Sequence, residues 1–243
     1  MSLWGWVMRD GVLGIQQPRR RGLTDEVAEG IRHAIFDGSF EMGEHLNEVD
    51  IAERLEVSRG PVREALVQLR QEGIVTMKWH RGAHIVQFSA KDVRELASLR
   101  TVLEVFAIRE AAVSATETDL DQMNQVLTAM SRALADESDH AMIQLDVQFH
   151  DSLYRAAHHD RLWNAWSSIR SQVMLSLLVK RHTFNEYYRD RVIAEHRDLL
   201  QVVAARDPEA CERAVREHLA ATYERLVSRF RSTDEETAES TDR

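Results

Sequence analysis

From Ser89 onward the chain runs almost without glycine or proline, shows no strand pattern, and repeats its apolar residues at helical spacing nearly to its end. So long a stretch with a 3.6-residue period can bury its apolar stripes only by packing helix on helix, which predicts an all-α helical bundle. Helices are expected near 91–115, 118–136, 140–158, 161–182, 185–205 and 208–231. Residues 89–231 form one domain in this reading, and the acidic stretch 232–243 is expected to be a disordered tail.

The first 88 residues read differently. Residues 1–20, punctuated by Gly5, Gly11, Gly14 and Pro18 and ending in a basic run, are expected to be a flexible arm. Thr24 starts a helix carrying Val27, Ile31 and Ile35, and Gly38 stops it. Asn47 can cap a second helix with Ile51, Ala52 and Leu55 on its apolar stripe. Ser58 caps a third, with Pro61 in the first turn, where its missing N–H costs little, and Val62, Ala65, Leu66 and Leu69 on the buried face. Two β-prone runs, Ile74–Lys78 and Ala83–Gln87, flank Trp79, His80, Arg81 and Gly82 as a hairpin. Three helices and a hairpin make a winged helix-turn-helix over 21–88, so the fold class is mainly α.

Charge bounds what that module can do. The formal net charge of −9 opposes any whole-surface attraction to phosphate. From Val57 to Gln87, however, Arg59, Arg63, Arg70, Lys78 and Arg81 face only Glu64 and Glu72. With the apolar face of the third helix buried, Arg59, Arg63 and Arg70 fall outward, where a helix in the major groove can present arginine to guanine. His80, Arg81 and Gly82 of the wing can approach the neighbouring minor groove, glycine allowing close backbone contact. The competing reading is a helical hairpin with a solvated basic face; the local charge reversal and the adjacent wing weigh against it.

A single cysteine, Cys211, rules out an intramolecular disulfide and a cysteine-based zinc site. No segment approaches the roughly 18 unbroken apolar residues of a membrane span, and the start lacks a signal-peptide core, so a cytoplasmic location without membrane contact is expected.

Leu46-Asn47-Glu48, Ile51-Ala52-Glu53-Arg54-Leu55 and Val57-Ser58-Arg59-Gly60-Pro61-Val62-Arg63-Glu64-Ala65-Leu66, continued by Glu72-Gly73-Ile74-Val75 and Arg81-Gly82-Ala83, resemble the signature of the GntR family of transcription regulators. The likeness extends over nearly the whole chain if the second half is the all-helical FCD effector-binding domain of the FadR-like subfamily. It implies a dimeric winged-helix regulator with Arg59 and Arg63 as base or phosphate contacts. Glu56 stands where the family usually has a turn glycine, a cost of about 1 kcal/mol if its φ is positive. Val49 stands where some members carry another DNA-contacting arginine.

Asp146 and His150, four apart, share one helix face, and His196 and His218 lie on two later helices beside Glu195 and Glu217. Four such ligands can surround a divalent ion inside a bundle, although 11 histidines make chance combinations easy. The resemblance sharpens this reading. Metal-binding FCD domains carry an Asp-x3-His pair and one histidine on each of the last two helices, which Asp146, His150, His196 and His218 match. Zinc, nickel and manganese all suit three histidines and an aspartate. Other histidines, such as His140, His158, His159 and His182, have no such correspondence. Arg100, one turn before Glu104, is either one half of an intrahelical salt bridge or an anion clamp, and the resemblance implies an arginine near the effector. Trp163 and Trp166 line the same cavity or belong to the core.

The sequence therefore points to a metabolite-responsive DNA-binding regulator and not an enzyme: a homodimeric repressor that reads an inverted-repeat operator in double-stranded DNA and answers to a small organic-acid effector. In the helix near 91–115, Val102, Leu103, Val105, Phe106, Ala107, Ile108, Ala111, Ala112 and Val113 are apolar around more than one face, which exceeds what one core contact needs and offers the dimer interface. Two rivals are a metal-dependent hydrolase using the His/Asp set to activate water and a helical interaction protein with a vestigial helix-turn-helix.

Overall fold

The computed structural model describes residues 20–78, 81–136, 138–179 and 186–241. Residues 1–19 of the arm expected at 1–20, and His80 and His182, lie outside them, while Arg20 already belongs to the first helix. The head consists of α1 (Arg20–Phe36), β1 (His45–Leu46), α2 (Glu48–Arg54), α3 (Arg59–Gln71), β2 (Val75–Lys78) and β3 (Gly82–Ile85). The bundle follows as α4 (Ala90–Ser114), α5 (Glu117–Ala135), α6 (Asp139–Ala156), α7 (Asp160–Val179), α8 (Glu186–Ala204) and α9 (Pro208–Thr241).

Local chemistry sets most boundaries. Asn47 Oδ1 accepts from the Val49 N–H at 2.9 Å and starts α2 as expected. Ser89 and Thr116 close full capping boxes with Asp92 and Asp119 at the starts of α4 and α5. Ser58 occupies the cap position of α3, but its hydroxyl makes no capping bond. Thr24 does not cap α1, which is already helical from Arg20; its hydroxyl instead donates to Glu64 Oε2 at 2.9 Å and ties α1 to α3. α9 continues to Thr241, correcting the tail expected from residue 232. That stretch carries no Gly or Pro and includes three Glu and one Ala, which are good helix formers.

The wing is a three-stranded antiparallel sheet in the order β1-β3-β2. Val75 faces Ile85 and Lys78 faces Gly82 across the hairpin. β1, with two residues too short to show any alternation, pairs Leu46 with Ala83. Two apolar clusters form the core among the described residues. One joins Val27, Ile31, Leu66, Leu69 and Ile85 of the head to Trp166, Ile169 and Val173 of α7, so the head's core runs on into the bundle. The other, around Ile108, Met123, Phe149, Leu199, Val215 and Leu219, is interior to the bundle. α4 is packed by α6, α7, α8 and α9, which makes it the central helix.

The turn between α2 and α3 carries a measurable strain. Glu56 has φ +53°, the left-handed region in which a Cβ is crowded. Replacing Glu56 by glycine should raise stability by about 0.5–1 kcal/mol, less than the full relief because glycine also widens the unfolded ensemble. Urea unfolding with an unchanged m-value is the check.

Candidate functional site

Two sites emerge, one on the head and one inside the bundle. On α3, Arg59, Arg63 and Arg70 fall within about 40° of one another around the helix axis at 3.6 residues per turn, and all three are exposed. Val62, Ala65, Leu66 and Leu69 are fully buried on the other side. Arg81 and Gly82 are exposed at the wing tip. Gly82 has φ +76°, and a Cβ there would lie 2.7 Å from His45 Nε2, so both backbone and space favour glycine. Val49 is exposed at the start of α2.

Inside the bundle, α4 supplies Arg100 and Glu104, α6 Asp146 and His150, α8 His196, and α9 His218, all buried. Ligand nitrogens of His150, His196 and His218 lie within 4.8 Å of one another. Two nitrogens sharing an ion at about 2.1 Å are at most about 4.2 Å apart, so small ring movements suffice for the triad to hold one ion. Asp146 Oδ1 sits 3.2 Å from His196 Nε2, which adds a carboxylate to the donor set. His196 Nδ1 donates to the Val192 carbonyl at 2.7 Å, and because a carbonyl only accepts, Nε2 is left to face the cluster. His150 Nε2 and His196 Nε2 are buried without a hydrogen-bond partner. Phe149 packs edge-on against both the His150 and His196 rings. Buried imidazole nitrogens beside a carboxylate are what a divalent cation requires, so the residues present fit a metal.

Charges around the cluster are distributed unequally. Burial pulls the His150 imidazole below its ordinary range, and burial likewise takes His218 down to about 4. His196 goes the other way: burial opposes its charge, but the Asp146 carboxylate 3.2 Å away outweighs it. Burial also opposes the Asp146 charge, yet His196, His150 and Arg100 hold that carboxyl far below the usual range.

Beside the cluster lies an arrangement that sequence spacing only half revealed. The Arg100–Glu104 salt bridge exists, with Nε donating to Oε2 at 2.9 Å. Glu104 also contacts His150 Nδ1 through its other oxygen, so it links the arginine to a candidate ligand. Arg100 Nη2 has no hydrogen-bond partner, and neither do the hydroxyls of Tyr154 and Tyr223. Burial raises the pKa of both phenols, which keeps them neutral donors. A guanidinium edge and two phenols, all buried and unpartnered, suit a carboxylate. Trp166 joins this end, with the Arg100 guanidinium 5.8 Å from its ring centroid and Tyr154 stacked on it at 4.7 Å. Trp163 does not; it lies under Arg155. Tyr154 and Tyr223 do not follow from the sequence, because no fixed spacing connects α4, α6 and α9; Glu104 does, but only as the neighbour of Arg100 and not as a contact of His150.

Other histidines stay apart from the cluster. His140 pairs with Gln144, His158 with Asp119, and His159 meets Phe106. A cleft of about 760 Å³ opens between α1 and α5–α7, lined by Arg32, Gln125, Arg155 and Arg170 among others; none of the cluster residues borders it.

α7 touches both the bundle site and the head. Five residues beyond Trp166, Ser171 Oγ donates to Glu72 Oε2 at 2.9 Å, just past the end of α3, and Glu72 also accepts from Arg32 Nε at 2.9 Å. At Gly73, φ +74°, a Cβ would lie 2.5 Å from Gln172 Nε2.

Comparison with known proteins places these features in context. Residues 23–85 match the family model for bacterial regulatory proteins of the gntR family, and residues 95–221 match the FCD domain. The chain is 29% identical to the gluconate operon transcriptional repressor of Bacillus subtilis, covering 74% of this chain and 75% of that protein. It is 28% identical to the Uxu operon transcriptional regulator of Escherichia coli, covering 86% and 88%. A crystal structure of a transcriptional regulator from Rhodococcus sp. RHA1, assigned to GntR, superposes with a TM-score of 0.74 at 26% identity, covering 85% of this chain and 98% of that one.

Proposed function

Because this chain belongs to the GntR family of bacterial regulatory proteins and carries an FCD domain, we propose that it is a dimeric, cytoplasmic repressor whose operator binding is tuned by a small carboxylate effector held beside a divalent metal. Members of the family are transcriptional regulators and not enzymes, and neither the hydrolase nor the interaction-protein alternative finds support. No helix among the described residues is long and apolar enough to cross a membrane.

The observation that carries the proposal is the buried juxtaposition of a three-histidine, one-aspartate cluster with an arginine edge and two phenols lacking partners. Asp146, His150, His196 and His218 would hold the ion. When bound, it supplies a Lewis-acidic centre on which an effector oxygen can complete the coordination. Arg100 Nη2, Tyr154 and Tyr223 would grip the remaining oxygens of a short organic acid. The repressor of the gluconate operon, named above, answers in name to an operon of a sugar acid, in keeping with a carboxylate ligand. α7 offers the route outward. A ligand that prefers one placement of Trp166 biases the Ser171–Glu72 contact at the end of α3, and operator affinity changes only by that preference.

On the head, Arg59, Arg63 and Arg70 would enter the major groove, with Arg81 and Gly82 of the wing near the minor groove. Single Arg59→Ala and Arg63→Ala variants are each expected to weaken binding to a footprinted operator by roughly 5- to 150-fold, the equivalent of about 1–3 kcal/mol per base contact. Unchanged affinity and sequence preference in both would remove the DNA-reading assignment.

A homodimer follows from the geometry of a two-fold operator. α4 exposes Leu99, Val102, Phe106 and Val113 along one stripe, Val102 at 68% and Val113 at 73%, while Val105, Ala107, Ile108, Ala111 and Ala112 face the core. An apolar stripe of this kind marks an interface. Sedimentation should give a dimer at micromolar concentration, and Val102→Glu a monomer; a wild-type monomer with and without DNA would refute the interface.

A further inference from the structure

Glu48 opens α2, yet its side chain serves α3. Its carboxylate accepts from Arg63 Nη2 at 3.0 Å and from Arg63 Nε at 3.3 Å, and Arg59 Nη2 lies 3.4 Å away. Glu48 is 24% exposed, whereas the two arginines are exposed at 59% and 61% and reach across the turn to it. The Arg63 bond holds the Glu48 carboxyl below the usual range, so the charge persists at neutral pH. We propose that Glu48 is a specificity-determining residue of the DNA-reading face, occupying the arginine edge that a phosphate would otherwise take while orienting Arg63 for a base.

Glu48 and the DNA backbone compete for the same guanidinium edge. Carboxylate and phosphate both bind a guanidinium through two parallel N–H bonds. Glu48 fills the Nε–Nη2 edge of Arg63 and carries a negative charge between the two arginines, so a DNA backbone arriving there meets one net positive charge in place of two. Sequence-independent affinity derives almost wholly from phosphate neutralisation and is therefore reduced. Arg63 Nη1 is not engaged by Glu48. A guanidinium held in one orientation loses less freedom on meeting the O6 and N7 acceptors of guanine. Both effects widen the gap between specific and non-specific binding.

This inference rests on Arg59 and Arg63 reading DNA, and the experiment separates the two. Full-length wild type, E48Q and R63A are each used to select from a random-core duplex pool, and each is titrated with a random-sequence duplex at several salt concentrations. E48Q should bind the random duplex about tenfold more tightly, with the log–log salt slope steeper by about one ion. The ratio of selected to random affinity should fall at least tenfold. An unchanged random-duplex affinity and ratio in folded E48Q would overturn the role of Glu48. If R63A enriches the same sequences with the same affinity as wild type, Arg63 does not read DNA and the inference falls with it.

Discussion

Arg100→Ala is expected to destabilise the chain by about 3–5 kcal/mol, the cost of removing one partner from a buried ion pair. Arg100 and Glu104 are essentially inaccessible to solvent, at 1% and 0% exposure. Burial alone would push the Glu104 carboxyl up; Arg100, with help from His150, holds it at about 2. Without the guanidinium, the carboxylate must stay charged in the interior or take up a proton, and both cost free energy. A depressed folded pKa means that the Glu104 contribution is complete above the unfolded carboxyl range near 4.3 and is lost as pH falls towards about 2. The comparison therefore belongs near pH 7. A fall in melting temperature on the order of 10 °C is expected for a chain of this size. Arg100→Met/Glu104→Leu, which removes both charges, should recover much of the loss. A single variant costing under about 1 kcal/mol would mean the pair is not buried as described.

The second large effect concerns metal. Protein stripped by a chelator and then given zinc, nickel or manganese should gain about 4 kcal/mol at a free metal concentration a thousandfold above Kd. His196→Ala should abolish the gain, and His140→Ala, outside the cluster, should leave it intact. Affinity should fall as pH falls, because Asp146 holds a proton on His196 more firmly than an ordinary imidazole does, and the ion must displace it. Glu104→Gln should lower affinity about 10- to 100-fold by releasing the His150 ring. A wild type that takes up no ion, or a His140→Ala variant that loses as much as His196→Ala, would contradict the site.

The periodic parts of the fold were legible. α4 to α8 and the start of α9 lie close to the expected positions because each carries a long apolar stripe and most start at a capping residue or a turn. The three arginines of α3 and the Asp146–His150 pair were legible for the same reason: helical spacing converts directly into a shared face. What escaped had no local period. β1 is two residues defined only by its partner. Thr24 reads as the start of a helix, while α1 begins at Arg20 and the Thr24 hydroxyl is used across 40 residues on Glu64. Glu104 was visible as a neighbour of Arg100 but not as a contact of His150, since that approach is set by the packing of α4 on α6. Tyr154 and Tyr223 join the arginine from helices whose order in space no spacing encodes. The Glu48 contacts on Arg59 and Arg63 depend on the tight turn at Glu56, whose positive φ folds α2 back on α3.

The central claim is that a carboxylate bound at the metal cluster controls DNA binding at a distance. Its most direct test is operator affinity, measured on a footprinted site while short organic acids are titrated into metal-loaded wild type and into His196→Ala. At least one acid is expected to shift the operator Kd of wild type and to leave that of His196→Ala unmoved. A shift of equal size in both proteins, or none in metal-loaded wild type with any acid of the class, would contradict it.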